Sequence, residues 1–278
     1  MAGTRVPEEG PMRKPRKLLP HDGHRKRRSA RQIAAAPPGF DYPITQAGVA
    51  GNVTVYYDPE LGAQGSSLAQ QLLGAVTQPY QDMQTWFGVS GGAVSVVIAP
   101  LSGNNDGSGG AYHYGCDFTT GGVLYLDATF DSTGVDPLDL EVGLYVAELS
   151  ECFMGTQGAG WGCGDSNGEG LSRFAAEQET PAGTMAAFAT GPAWAQAGFP
   201  DWVDTTENTD QDAVSIGCSI VYLYWMVSQG YAIPQIVQAA GATLAGNYET
   251  LTGKTTAYQD LLAAVQNLTI TSDDPFAG

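Results

Sequence analysis

Cationic residues are scarce over most of this 278-residue chain. It has twelve lysine and arginine residues and 29 acidic ones, for a formal net charge of -17. Residues 39–278 hold only Arg173 and Lys254 against 26 acidic residues, whereas residues 1–38 carry a formal charge of +7. Most carboxylates of residues 39–278 therefore cannot pair with a cation there. We expect mutual repulsion to raise some of their pKa values, so that stability is lost as pH rises.

Long apolar runs are also absent. The longest, SIVYLYWMV at 219–227, is far shorter than the ~20 residues that span a bilayer. The basic N-terminus is not followed by the apolar segment typical of a secretory signal. We predict no transmembrane segment and no classical signal peptide. The scarcity of cations and the even cysteine count favour an extracytoplasmic location, and the cytoplasm is the alternative.

Cysteine occurs only at Cys116, Cys152, Cys163 and Cys218. No pair forms CxxC and the spacing does not match a zinc finger, so a thiolate metal site is disfavoured. Four cysteines allow three full pairings, and one or two disulfides or buried free thiols all remain open. The glycine-rich run at 155–170 lacks the lysine of a phosphate loop and is predicted to be a tight connection held by Cys163.

The first 38 residues form a basic arm. They hold ten of the twelve lysine and arginine residues and too little apolar material to fold alone, so we predict an extended arm. It could serve solubility only, dock onto an acidic protein surface such as another copy of this chain, or bind nucleic acid. Nucleic acid is disfavoured because the acidic remainder repels phosphates. The candidate partner-binding residues are Arg13, Lys14, Arg16, Lys17, Arg25, Lys26, Arg27, Arg28 and Arg31.

The order of predicted elements indicates an α+β fold. Residues 39–135 read as a β-rich part and residues 136–278 as a helical part, together one compact unit. Predicted strands are 52–57, 93–100, AYHYG at 111–115 and GVLYLDATF at 122–130, with a helix at 66–88 bent near Pro79. Predicted helices are 137–154, 168–179, 183–190, 210–229, 233–250 with a break near Gly241, and 255–267. This gives a small, mixed, twisted sheet with one packed helix, then a mostly helical half.

Two short motifs bear on chemistry, YVAELSECFMG at 145–155 and GEGLSRF at 168–174. In an HExxH helix two histidines four residues apart bind zinc from one face, while the glutamate polarises a bound water. Here Ala147 and Glu151 stand at the histidine positions and Glu148 at the glutamate position. The pattern resembles the gluzincin branch of the zincin metallopeptidases. The resemblance implies a third ligand at Glu169, a sheet-then-helix order, and AYHYG as the edge strand along a substrate cleft.

The departures from that pattern change the expected chemistry. The methyl group of Ala147 cannot coordinate a metal, and carboxylates at Glu148, Glu151 and Glu169 favour Ca²⁺ or Mg²⁺ over Zn²⁺. We therefore predict no tightly bound cofactor, with a weakly held divalent cation as the alternative. His113, the only histidine in residues 39–278, could supply a ligand or be an ordinary hydrogen-bonded side chain. Alternatively, none of the three glutamates binds a metal: Glu148 and Glu151 face solvent, and Glu169 complements the positive end of a helix dipole.

Three functions fit these observations. The first is a zincin-like protein without catalysis that acts in binding or assembly through its basic arm. The second is an active peptidase or other hydrolase with Glu148 as general base and Glu151 and Glu169 as metal ligands. The third is an effector or cargo protein loaded through its basic leader.

Overall fold

The computed structural model describes residues 44–103, 105, 108, 110–130, 134–209 and 211–277. The basic arm and its nine candidate partner-binding residues lie outside this part of the chain. Within it, the helices are all too short or too polar to cross a membrane.

A five-stranded mixed sheet forms the first half of the described chain. Its strands are β1 (Thr45–Ala50), β2 (Val53–Tyr57), β3 (Val94–Ala99), β4 (Ala111–Tyr112) and β5 (Val123–Asp127). The spatial order is β1-β2-β3-β5-β4, in which β2, β3 and β5 run parallel and the outer strands β1 and β4 run antiparallel to their neighbours. The predicted mixed sheet is confirmed, and β1 is a strand that the sequence reading missed.

Strand β4 is the edge strand next to β5. Only two residues of the AYHYG stretch pair with β5, so the predicted strand is shorter than expected. Tyr112 of β4 stacks on Tyr125 of β5 with ring centroids 4.7 Å apart. The pairing with β5 ends at Tyr112, and His113 is the next residue.

The helix predicted at 66–88 is two helices, α1 (Gly62–Ala75) and α2 (Thr77–Phe87). They are separated at Val76, three residues before Pro79. Proline has no N–H to donate to the carbonyl four residues back, so one bond of the helical ladder is missing there, close to the bend predicted near Pro79, while Val76 itself keeps helical φ and ψ. Helix α1 contacts β1 and β2, and α2 contacts the first helix of the second half.

Seven further helices follow the sheet within the described residues: α3 (Pro137–Gln157), α4 (Ser166–Gln178), α5 (Gly191–Gln196), α6 (Ala213–Ser228), α7 (Ile233–Ala239), α8 (Leu244–Thr252) and α9 (Ala257–Val265). The α+β class is thereby confirmed. The prediction of an α-helix at 183–190 is wrong, because Gly183 has a positive φ of 88° and only a 3₁₀ turn at Ala186–Phe188 follows. The break predicted near Gly241 is present, with positive φ at both Ala240 and Gly241.

Helix α3 is central to the hydrophobic core. Every residue from Leu140 to Met154 is buried, and the helix contacts α1, α2, β5 and α4. One continuous core cluster includes Val96 of the sheet, Phe153 of α3 and Tyr222 of α6. The core therefore crosses the predicted boundary at residue 135. A helix buried on all faces must also bury its polar side chains, and that requirement shapes the site.

Candidate functional site

Helix α3 carries the two glutamates of the HExxH-like stretch. The helix begins at Pro137, where the Asp136 carboxylate accepts a hydrogen bond from the Leu138 N–H at 2.8 Å. Glu148 and Glu151 are three residues apart and share one helix face. They are only 3% and 1% exposed. The alternative in which these two glutamates face solvent is therefore wrong.

His113 follows edge strand β4 and reaches both glutamates. Its Nε2 lies 2.7 Å from Glu151 Oε2, within hydrogen-bond distance, and 3.7 Å from Glu148 Oε2. The histidine is 3% exposed. Its other ring nitrogen, Nδ1, has no hydrogen-bond partner among the described residues. The structure thus brings together three predicted site residues, and two of them are hydrogen-bonded to each other.

A disulfide joins Cys116 to Cys163 beside this group. The bond connects the loop after β4 to the glycine-rich run, with 5.7 Å between the two Cα atoms. Cys163 Sγ lies 3.3 Å from Glu151 Oε2 and 3.9 Å from His113 Nε2. Cys152 and Cys218 are buried and form no disulfide. Of the pairings that the sequence left open, the structure contains this single disulfide.

The glycine-rich run from α3 to α4 is held in place by side chains. Trp161 is 4% exposed and donates from Nε1 to the Val237 carbonyl at 2.9 Å, so it covers the core. Asn167 Oδ1 accepts hydrogen bonds from the N–H groups of Gly162 and Gly168 at 3.3 and 2.8 Å. The run is therefore a tight connection, and the disulfide of Cys163 holds it, as predicted.

Glu169 lies in the first turn of α4 and pairs with Arg173. Its Oε1 accepts hydrogen bonds from Arg173 Nη2 at 3.1 Å and from Nε at 3.3 Å. Arg173 Nη1 also donates to the Phe188 carbonyl at 2.6 Å. Glu169 is 1% exposed, and it is not part of the group of metal-capable atoms that includes His113. Its role as a metal ligand remains a prediction.

Three side chains could hold a metal ion among the described residues: His113, Glu151 and Cys163, whose ligand atoms lie within 4.8 Å of one another. The sulfur of Cys163 is already bonded to Cys116, so it can coordinate only when the disulfide is reduced. Ala147, at the first histidine position of the HExxH pattern, is 1% exposed and offers no ligand atom. The residues therefore do not fit the zinc site of a gluzincin.

A second acidic group lies away from this cluster, where α4 meets the C-terminal segment, and contains the half-buried Glu177 and the buried Asp273. Tyr224 donates to Glu177 Oε2 at 2.5 Å, and Asp273 Oδ1 accepts from the Thr190 N–H at 2.8 Å. Burial, followed by the negative charge of Asp273, raises the pKa of Glu177 to about 8. Burial also raises the pKa of Asp273, against the lowering effect of backbone N–H groups and Arg173. No sequence motif marks this group.

The sequence reading named His113, Glu148 and Glu151 but not the two cysteines beside them. One signal was available, because Cys116 follows His113 by three residues and Cys163 follows Glu151 by twelve. Both cysteines are thus close in sequence to candidate ligands. Without knowing that β4 approaches α3, however, the two short segments cannot be paired.

Comparisons with known proteins give no relative for this chain. No protein-family model matches it. Searches of curated proteins and of solved structures also found no match.

Proposed function

We propose that this chain is a zincin-like protein without peptidase activity that works by binding, and that its basic arm docks onto the acidic surface of a neighbouring copy. The observation that most directly supports the absence of peptidase activity is Ala147, which stands at the first histidine position of the HExxH pattern and offers no ligand atom. Of the other expected ligands, Glu169 is paired with Arg173.

The strand arrangement supports the zincin-like part of the proposal. An antiparallel edge strand, β4, precedes the buried helix that carries the HExxH-like stretch. The gluzincin resemblance leads one to expect this order of edge strand and helix. The proposal of zincin ancestry therefore rests on two motifs and this topology, and the missing ligand at Ala147 supports the proposal that the protein has no peptidase activity.

The charge distribution supports docking of the arm. Of the two cations in residues 39–278, Arg173 is buried in its pair with Glu169. The side chain of Lys254 is 64% exposed and lies 3.9 Å from Asp260. Over the described residues, Lys254 is thus the one lysine or arginine exposed to solvent. An arm with ten cations is complementary to such a surface, and long-range attraction should bring the two together.

The docking proposal predicts association that depends on the arm and on salt. Sedimentation velocity should show the full chain self-associating as protein concentration rises at about 0.01 M ionic strength. It should dissociate near 1 M, because the Debye length falls from about 30 Å to about 3 Å. A chain lacking residues 1–38 should stay monomeric in both conditions.

A matched control keeps the arm's length but removes nine of its ten cations, with glutamine at the nine candidate partner-binding positions. It should behave like the truncated chain. If the full chain, the truncated chain and the glutamine variant sediment alike at every concentration and salt, the docking proposal is wrong. Association of the truncated chain alone would also contradict it.

The absence of catalysis is tested separately. The full chain and the Glu148→Gln variant are incubated with a mixture of fluorogenic peptides, with and without added Zn²⁺, Ca²⁺ or Mg²⁺. We expect equal, background cleavage from both proteins. Cleavage that is lost in Glu148→Gln, while the near-UV circular dichroism of the variant is unchanged, would support the hydrolase alternative.

A further inference from the structure

We infer that His113, Glu151, Cys163 and Cys116 form a closed site for a borderline transition-metal ion such as Zn²⁺ or Co²⁺ when the Cys116–Cys163 disulfide is reduced, and that oxidation removes this site. This goes beyond the docking function and does not depend on it. The donor set differs from the Glu148, Glu151 and Glu169 set expected from the sequence. It also departs from the sequence-based expectation, which disfavoured a thiolate metal site.

The distances between the potential ligand atoms favour a tetrahedral ion. Bonds of about 2.0–2.3 Å to nitrogen, oxygen and sulfur place neighbouring ligand atoms about 3.3–3.8 Å apart. Glu151 Oε2 lies 3.3 Å from Cys163 Sγ, and Cys163 Sγ lies 3.9 Å from His113 Nε2. The 2.7 Å contact between His113 and Glu151 must lengthen by about half an ångström to admit the metal. Three of the four ligands are thus nearly in position. Cys116 Sγ is not within 4.8 Å of all three ligand atoms, so it must turn toward them once the S–S bond opens.

The chemistry of the donors selects the kind of metal. Thiolate and imidazole ligands favour Zn²⁺ and Co²⁺ over Ca²⁺ and Mg²⁺, which prefer oxygen. With Cys116 as the fourth ligand, all four positions of a tetrahedral ion are filled by protein atoms, so no position remains for a substrate water. The site is therefore compatible with a protein that does not hydrolyse peptides.

Reduction supplies the two sulfur ligands. A dithiol attacks the disulfide; two of its electrons break the S–S bond, its two protons pass to the cysteine sulfurs, and the reagent becomes a cyclic disulfide. Metal binding then releases those protons to solvent. Cys116 is exposed, so a reductant can reach the bond, while His113 and Glu151 stay buried behind it. The neighbouring carboxylate of Glu148, 3.7 Å from His113 Nε2, adds negative charge that favours a cation.

The test compares oxidised and reduced full-length protein. Protein reduced with dithiothreitol is freed of reagent under nitrogen and titrated with Co²⁺, and the thiolate-to-cobalt charge-transfer absorption is recorded. We expect one Co²⁺ per reduced chain, displaced by Zn²⁺, and no such absorption from the oxidised chain. Equal metal binding by the two forms, or binding without charge transfer, would overturn the inference.

Three variants separate the site from other metal-binding groups. Cys116→Ser frees the Cys163 thiol and should show cobalt charge transfer without any reductant. The double variant Cys116→Ser/Cys163→Ser keeps every histidine and carboxylate and should show none in either condition. Loss of the absorption in reduced His113→Gln completes the assignment, whereas full retention there would exclude His113 as a ligand.

The same experiment includes controls for the folding of each variant. Cys218→Ala removes a buried free thiol and should leave the redox-dependent absorption intact. Near-UV circular dichroism reports the fold of each sample. If both the reduced wild-type chain and Cys116→Ser are unfolded and Co²⁺ does not restore either fold, the site cannot form and the inference is wrong.

Discussion

Arg173 Nη2 lies 3.1 Å from Glu169 Oε1 within helix α4, and both side chains are at most 3% exposed. Arg173 is one of only two cations in residues 39–278, and it is used inside the protein. Its third contact, from Nη1 to the Phe188 carbonyl, ties the segment after α4 to that helix. One of these two cations, Arg173, therefore offsets the cost of burying the carboxylate of Glu169.

Replacing Arg173 by glutamine should destabilise the protein strongly. The change removes the guanidinium from a buried carboxylate and from the Phe188 carbonyl, and breaking a buried pair in this way costs about 3–5 kcal/mol. Urea unfolding monitored by tryptophan fluorescence measures the loss. Lys254→Gln is the matched control, because its exposed pair with Asp260 spans 3.9 Å and contributes at most about 1 kcal/mol. Equal effects of the two changes would contradict this account.

Stability should fall as pH rises through the neutral range, and Glu177 should contribute to the fall. Its folded pKa of about 8 lies above its usual value of 4.5. A carboxyl group with a raised pKa contributes stability that is complete below the unfolded pKa and is lost as pH rises through the folded pKa. In Glu177→Gln, the free energy of unfolding should decline less between about pH 4.5 and pH 8 than in the wild-type chain.

The control for Glu177→Gln is a glutamate in different surroundings. Asp273 and Asp274 of the C-terminal segment and Tyr224 of α6 contact or repel it, whereas Glu249 is exposed on α8. Glu249→Gln should therefore leave the pH slope unchanged. Glu141 and Glu179 also have raised pKa values, so the wild-type decline is reduced in Glu177→Gln but not abolished. A melting temperature that rises steadily from pH 5 to pH 9 at low salt would refute the prediction.

The direction of these pKa shifts was predictable from the sequence, but their main cause was not. The shortage of cations suggested repulsion between carboxylates. At Glu141, Glu177 and Glu179, burial is the first cause and repulsion a secondary one. Composition records how many charges a chain carries. It does not record which carboxylates the fold will enclose.

Local sequence signals predicted a secondary-structure element, helix α3, but not the contacts between segments that are distant in sequence. The α3 helix followed from local signals, since Asp136 and Pro137 mark its start and the apolar residues after them continue for several turns. The pairing of Cys116 with Cys163, and the contact of His113 with Glu151, join segments 47 and 38 residues apart. Contacts over such separations depend on where β4 lies in the sheet, which no local pattern specifies.

Gly155 should not tolerate a side chain. A Cβ atom at this position in α3 would overlap the carbonyl oxygen of Cys116, a backbone atom fixed by the neighbouring disulfide. Gly155→Ala should lower the free energy of unfolding by about 1–3 kcal/mol or more, the usual cost of overpacking. It should also weaken the cobalt absorption of the reduced chain, because the loop that carries Cys116 must move.

The control for this change is Gly74→Ala in α1. Gly74 is exposed, and nothing lies within 4 Å of a Cβ added there. Alanine restricts the unfolded chain and favours helix, so this variant should gain about 0.5–1 kcal/mol. Urea midpoints that shift in the same direction for the two variants would contradict the steric argument.

Opening the Cys116–Cys163 disulfide should destabilise the protein. The bond closes a loop between residues 47 positions apart, and the loss of this restraint on the unfolded chain is worth about 4 kcal/mol in the chain-entropy model. Urea unfolding of the Cys116→Ser/Cys163→Ser variant measures the loss without reductant. The reduced wild-type chain, kept free of divalent metal with a chelator, should lose a similar amount, because both lack the same cross-link.

The remaining cysteines separate the cross-link from other effects of reduction. Cys152 and Cys218 are buried and form no disulfide, so reductant should not act on them in the folded chain. The stability of the double serine variant should therefore be the same with and without dithiothreitol, whereas that of the wild-type chain should fall. If reductant leaves the wild-type midpoint unchanged while free-thiol titration proves that the bond is open, the disulfide does not restrain the unfolded state and the expected loss is absent.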